Sequence, residues 1–255
     1  MNLKLFKHKI YFRKESDKMK NSEIRREARE CLRGRWGKAI GMILLYTLIT
    51  GAISSVIGAF GLIITVPMAF GFAGQMLKFT RKEEVGICDY FSIGFDNFGK
   101  AWSIFGYTLL KILVPFIAYA VVIIGFLVGM AVAGSTGGSE IFIAVSLVFI
   151  VAFIAVYIWL FSVILLYEYT DYVGNNKPEL TGKEVVEESA RLMRGNRWKF
   201  IGFSLSFIGW MFLSMLTFGI GFIWLIPYME VASVKFFESL IGNTDTSVVE
   251  DNPIQ

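Results

Sequence analysis

Phe200 to Met229 is a stretch of 30 residues without one charged side chain. A second stretch, Ile112 to Tyr167, carries only Glu140, and from Ala39 the first charge is Lys78. About 20 apolar residues span the roughly 30 Å hydrocarbon core of a bilayer. In lipid the backbone must satisfy its own hydrogen bonds, which leaves helices and closed barrels. The polar–apolar alternation of a barrel is absent. The runs therefore predict an all-α, polytopic transmembrane helix bundle. Composition agrees: 55% of residues are hydrophobic and 18% charged, against about a quarter charged in soluble domains.

Six spans are predicted, at about 39–59, 62–79, 112–133, 141–167, 200–218 and 220–240. Pro227 and Glu230 interrupt the last. The first apolar run follows a long charged leader, unlike a cleavable signal peptide, and is read as a retained span. Of 25 Lys and Arg residues, 13 lie in residues 1–38, four in 78–100 and six in 168–199. The turns near residues 60, 134–140 and 219 hold none. Basic loops stay cytoplasmic, so the spans pair as three hairpins with both termini inside and "GSTGGSE" outside. The expected organisation is a basic tail (1–20), one membrane domain (21–241) opening on an interfacial helix (21–38), and a polar tail (242–255). The location is the cell membrane.

"LRGRWGKAIG" (32–41) and "MRGNRWKFIG" (193–202) echo each other, and "NFGKAW" (97–102) is a weaker copy. Each precedes a hairpin. The segments before them read as amphipathic helices in the headgroup layer. Ile24, Ala28, Leu32 and Trp36 recur every four residues. Thr181 and Glu184 form a capping-box pattern. Phe91, Phe95, Phe98 and Trp102 form an aromatic stripe. Gly34 and Gly195 are placed to turn the chain from surface to span. At this depth Arg33, Arg35, Lys38, Lys100, Arg194, Arg197 and Lys199 can reach anionic lipid headgroups while their stems stay in apolar surroundings. Trp36, Trp102 and Trp198 suit an interfacial belt.

The stretches "SARLMRGNRWKFIGFSLSFIGW" and "LTFGIGFIWLIPYMEVASVKFFESL" resemble the bacterial integral membrane family called domain of unknown function 975. The matching residues are Ser189, Leu192, Met193 and Gly195; then Leu205 to Trp210; then Pro227, Tyr228, Ala232 and Phe236. The resemblance implies a multi-pass membrane protein of low-GC Gram-positive bacteria. It carries no activity and no catalytic residues.

Chemistry is sparse. His8 is the one histidine, and Cys31 and Cys88 are far apart, so neither a metal site nor a disulfide framework is expected. No nucleotide, protease or hydrolase motif occurs, and no cofactor or catalytic residue is assigned. Glu230 is an intramembrane acid and a functional candidate by its depth. Glu168 and Asp171 form an acidic pair at the cytoplasmic end of the fourth span. The first expectation is a non-enzymatic membrane protein binding lipid or a membrane partner at its basic face, in a structural, sensing or accessory role. Inner-leaflet contact fits the leader better than nucleic acid. The alternative is a small transporter or permease for a lipid or amphiphile, using a midmembrane pocket near Glu230.

Overall fold

In the computed structural model, described over residues 21–136 and 139–250, every regular element is a helix. The basic leader with His8, residues 137–138 of the Gly/Ser turn and residues 251–255 lie outside the described residues. The chain repeats one motif: a short helix, a tight junction and a helical hairpin. In the first unit α1 (Asn21–Leu32) leads into α2 (Trp36–Ile57), a 3-10 turn (Gly58–Gly61) and α3 (Leu62–Thr80). In the second, α4 (Asp89–Asp96) leads into α5 (Phe98–Thr136) and α6 (Ser139–Ile164). After a short α7 (Thr170–Asn176), α8 (Gly182–Met193) leads into α9 (Arg197–Leu205), α10 (Ile208–Leu216) and α11 (Phe222–Glu250).

The echo in the sequence is an echo in geometry. α1 and α8 are both 12 residues long, and each ends in a three-residue turn. Gly34 (φ 76°) and Gly195 (φ 90°) hold the left-handed backbone at its centre, a conformation that only glycine adopts without steric cost. Matching bonds close the two turns, Arg35 N–H to Leu32 C=O and Asn196 N–H to Met193 C=O. The third junction is simpler: a single residue, Asn97, separates α4 from α5.

Among the described residues four segments are long and apolar enough to cross a membrane: Trp36–Thr80, Phe98–Ser135, Phe142–Ile164 and Arg197–Leu216. This is a membrane protein by that measure. The first segment folds back on itself, because Gly61 packs on Ile53 and the Tyr46 and Phe72 rings stack at 4.3 Å. α5 and α6 form a long hairpin in which Gly125 and Gly129 receive the Phe149 ring. Small residues of this kind let membrane helices approach closely. α10 and α11 reverse through Phe218 and Gly219, and Gly221 lies on Ser214. The apolar side chains of α6 and α10 stay largely exposed, Phe218 at the reversal being 99% so. Such faces suit contact with lipid.

At the other end of the hairpins the chain builds a packed helical body. Its core joins α1, α8, the last turns of α3 and the second half of α11, through Leu32, Met76, Phe79, Tyr169, Met193 and Phe237. This changes three expectations. Ile24, Ala28 and Leu32 on α1, and Val185 and Met193 on α8, are covered by protein, so their apolar faces are not free for the headgroup layer. The helix of the third predicted span begins 14 residues earlier, at Phe98, and its first turns bury Ala101 and Ile104 in the body. The sixth predicted span is exposed only at Ile220 and around Ile223 to Ile226, and beyond Pro227 its residues Val231, Val234 and Phe237 are core. The capping box at Thr181 and Glu184 forms as predicted, and the aromatic stripe is a continuous ladder from Tyr90 through Phe91, Phe95 and Phe98 to Trp102.

The residues shared with the resembling family mostly pack. Ser189 donates its hydroxyl to the Leu166 carbonyl, tying α8 to the end of α6. Tyr228 accepts a hydrogen bond from Arg29 and donates to the Arg25 carbonyl, tying α11 to α1. Phe203, Phe207 and Phe236 interlock their rings.

Candidate functional site

Glu168, Asp171 and Glu230 belong to different parts of the sequence reading, and the fold brings them to one place. They line a single cavity of about 460 Å³ between α2, α3, α7, α9 and α11. Its position follows from how α7 is seated. Gly74 of α3 lies under the Asn175 side chain, and Gly174 lies against Ile104 and Phe70, leaving no room for a side chain at either glycine. Asn175 donates to the Phe70 carbonyl at 2.8 Å and to the Asp171 carbonyl at 2.9 Å. Lys100 closes the end of α7 by donating to the carbonyls of Gly174, Lys177 and Pro178. With α7 pressed onto α3, Asp171 and Tyr172 turn toward α11, where the Tyr172 hydroxyl lies 3.5 Å from Glu230 Oε2.

The rest of the wall is aromatic. Tyr46 and Phe72 stack on one side, and Phe200 and Phe203 stand on the other. Among the described residues no lysine or arginine lines the cavity. The Asp171 carboxylate makes no hydrogen bond among the described residues, and the surface it keeps is on the cavity. Burial pushes its pKa up from 3.8 to about 6, because removing water disfavours the charged form. Glu168 is raised for the same reason. Among the described residues no three or more His, Cys, Asp and Glu side chains converge to hold a metal ion.

The acids thus gather with two residues that the sequence reading had not singled out, Tyr46 and Tyr172. The only signal for either was a phenol inside or beside an apolar run. The basic candidates divide. Arg35 faces inward: it donates to the Phe79 carbonyl at 2.9 Å and its guanidinium stacks 4.0 Å over the Phe79 ring. Lys100 faces inward too, on the carbonyls named above. Trp36 packs against the core, and the Trp102 ring contacts Phe98 and Phe105. Lys38 and Arg197 are half-buried, while Arg33, Arg194 and Lys199 are exposed and Trp198 is 83% so. Cys31 is a buried free thiol and Cys88 an exposed one.

Acid–acid repulsion in the body is avoided elsewhere by pairing. Glu188 receives Arg191 at 2.7 Å and Lys177 at 2.9 Å, and Arg191 first, then Lys177, draws its pKa down to about 2. Glu238 likewise takes Arg81 and Lys235. Among the described residues the three cavity acids have no such cation.

No curated protein and no solved structure matches the chain. A family described as protein of unknown function (DUF975) matches residues 19–244. That match covers most of the chain, including every helix that builds the cavity, and the chain therefore belongs to the DUF975 family.

Proposed function

We propose that this is a multi-pass protein of three membrane hairpins, termini on the cytoplasmic side, that takes a membrane-borne amphiphile into the cavity around Glu230. Binding and passage of a lipid-like molecule, without chemistry on it, is the reading the site favours. The observation that carries it is the position of the cavity. It lies where the exposed apolar helices meet the packed body, and its walls combine aromatic rings with carboxylates. Ligand sites between helices are concave and mostly apolar, with a few polar groups that fix orientation. Three hairpins account for the chain reversals at residues 58–61 and 217–221 and for the basic residues gathered at the other end.

Ser204 sits on the α9 wall and is half-buried, so Ser204→Trp fills the cavity from its rim. Native mass spectrometry of protein released from lipid nanodiscs should show one retained amphiphile on the wild type and none on Ser204→Trp. Equal retention by the two overturns the reading.

A second reading concerns the outer surface, and the exposure of Trp198 with Arg194 and Lys199 beside it favours it. These residues and Arg33 would hold anionic headgroups at the two glycine turns, each contact worth about 1 kcal/mol. Under this reading, Arg194→Gln with Lys199→Gln lowers co-purified phosphatidylglycerol several-fold and leaves the cavity ligand in place. Unchanged phosphatidylglycerol removes it.

A further inference from the structure

We infer that the cavity selects a cationic headgroup, and that its ligand is an ammonium-bearing amphiphile. This rests on the cavity reading above and names the class of molecule it takes. Three carboxylates line the space, and among the described residues no basic side chain lines it with them. Elsewhere in the body the acids with two close cations, Glu188 and Glu238, show how this protein neutralises a carboxylate when nothing else is to bind there. Among the described residues the Asp171 carboxylate has no hydrogen-bond or ion-pair partner in the cavity, and Glu230 has only the long contact from Tyr172. A buried carboxylate left this way, once ionised, is unfavourable until a cation visits it.

The shape of the site chooses among cations. The acids do not converge in the manner a small divalent ion requires, since such an ion needs several oxygens at about 2.0–2.6 Å. They are spread over a volume of about 460 Å³, within the usual range for organic ligands. Between them stand the rings of Tyr46, Phe72, Tyr172, Phe200 and Phe203. Ring faces attract a diffuse organic cation, most strongly once it has lost its water. Carboxylates spaced around aromatic walls therefore match a substituted ammonium better than a metal ion.

Apolar surface for an alkyl chain adjoins the cavity. α2 and α9 form opposite walls and share no hydrogen bond or ring contact among the described residues. Ser204 lines the cavity, and Leu205 and Ile208, which follow it in sequence, are apolar and exposed. An ammonium at Asp171 and Glu230 would leave its chain there, against the apolar faces of the hairpins.

The test uses the full protein in nanodiscs of neutral lipid and three probes below their micelle concentrations. These are dodecyltrimethylammonium, tetramethylammonium and dodecanoate, titrated by calorimetry. The expected result is saturable binding of dodecyltrimethylammonium at one site, with dodecanoate about tenfold weaker or more, as a charge preference in a desolvated aromatic site implies. Glu230→Gln and Asp171→Asn each weaken the long cation about tenfold and leave dodecanoate unweakened, while both variants stay monodisperse. Ser204→Trp abolishes binding of every probe. Dodecanoate binding as tightly as the cation, and lost in Ser204→Trp, overturns the charge preference and leaves the cavity reading standing. Probe binding that Ser204→Trp does not touch overturns both. Tetramethylammonium binding as tightly as the long cation keeps the cationic class but overturns the amphiphile, and makes the ligand a free organic cation.

Discussion

Gly71→Ala is expected to leave little folded protein. Helices α3 and α4 cross so closely there that a methyl group on Gly71 would stand inside the shell of the Tyr90 carbonyl oxygen and against the Gly94 amide. Those are backbone atoms, and neither helix has room to retreat. Tyr90 is completely buried, with its ring on Tyr46 and Phe91. The segment before α4 is held by Gln75, which donates to the carbonyls of Gly86 and Ile87 at 2.6 and 3.0 Å. Gly94 meets the Pro67 carbonyl in the same way from the other side. Overpacking of a dense interior costs about 1–3 kcal/mol and more when backbone must move; here we expect the upper end or beyond. Gly106→Ala is the control, since nothing lies within 4 Å of a methyl at that position. It should be neutral, or stabilising by up to about 1 kcal/mol through helix propensity. Fluorescence-detected size-exclusion of both variants gives the answer: aggregated or absent Gly71→Ala beside monodisperse Gly106→Ala.

Asp171→Asn should have the opposite effect on stability, raising the melting temperature at neutral pH. The folded-state pKa of Asp171, about 6, lies above the 3.8 of the ordinary side chain. Between those values the folded protein holds a proton that the unfolded chain has released. Stability from this group is therefore full below about pH 4, falls as pH rises toward 6, and stays at its lower level above that. A shift of about two units corresponds to at most about 3 kcal/mol, and the open side of the cavity reduces it to about 1–2 kcal/mol. Asparagine removes the dependence, so the variant exceeds the wild type at pH 7.5 and converges with it near pH 4. Glu168 is raised in the same direction and leaves a residual slope in both proteins. Glu230, Tyr46 and Tyr172 face Asp171 across the cavity and are unchanged between the two proteins, so the difference between the melting curves isolates Asp171. A variant that gains stability while losing the cation of the preceding section would mark Asp171 as a residue kept for binding at a cost in stability. Melting temperatures that coincide at both pH values contradict the burial of this carboxylate.

Much of the local structure was legible because it depends on neighbours in sequence. The capping box at Thr181 and Glu184 and the left-handed turns at Gly34 and Gly195 are settled within a few residues. The ladder from Phe91 to Trp102 follows from spacing on a helix. The apolar runs announce helices fit for a membrane because charge is absent from them. What was not legible depends on contacts between distant segments. Glu230 is about 60 residues from Glu168 and Asp171, and they share a cavity only because Gly74 and Gly174 let α7 lie on α3. Nothing in the pattern of residues 220–240 says that the part after Pro227 packs into the body. Nor does an Arg or Lys beside an apolar run reveal whether it meets lipid or a carbonyl, and Arg35 and Lys100 met carbonyls.

Those two inward cations have a consequence for biogenesis. A nascent chain presents every lysine and arginine to the insertion machinery before tertiary structure exists, so both count in the charge balance read at that moment. Once folding is complete, the carbonyls at Phe79 and at the end of α7 hold them. The folded surface then presents fewer free cations than a count of lysines and arginines in the primary structure implies.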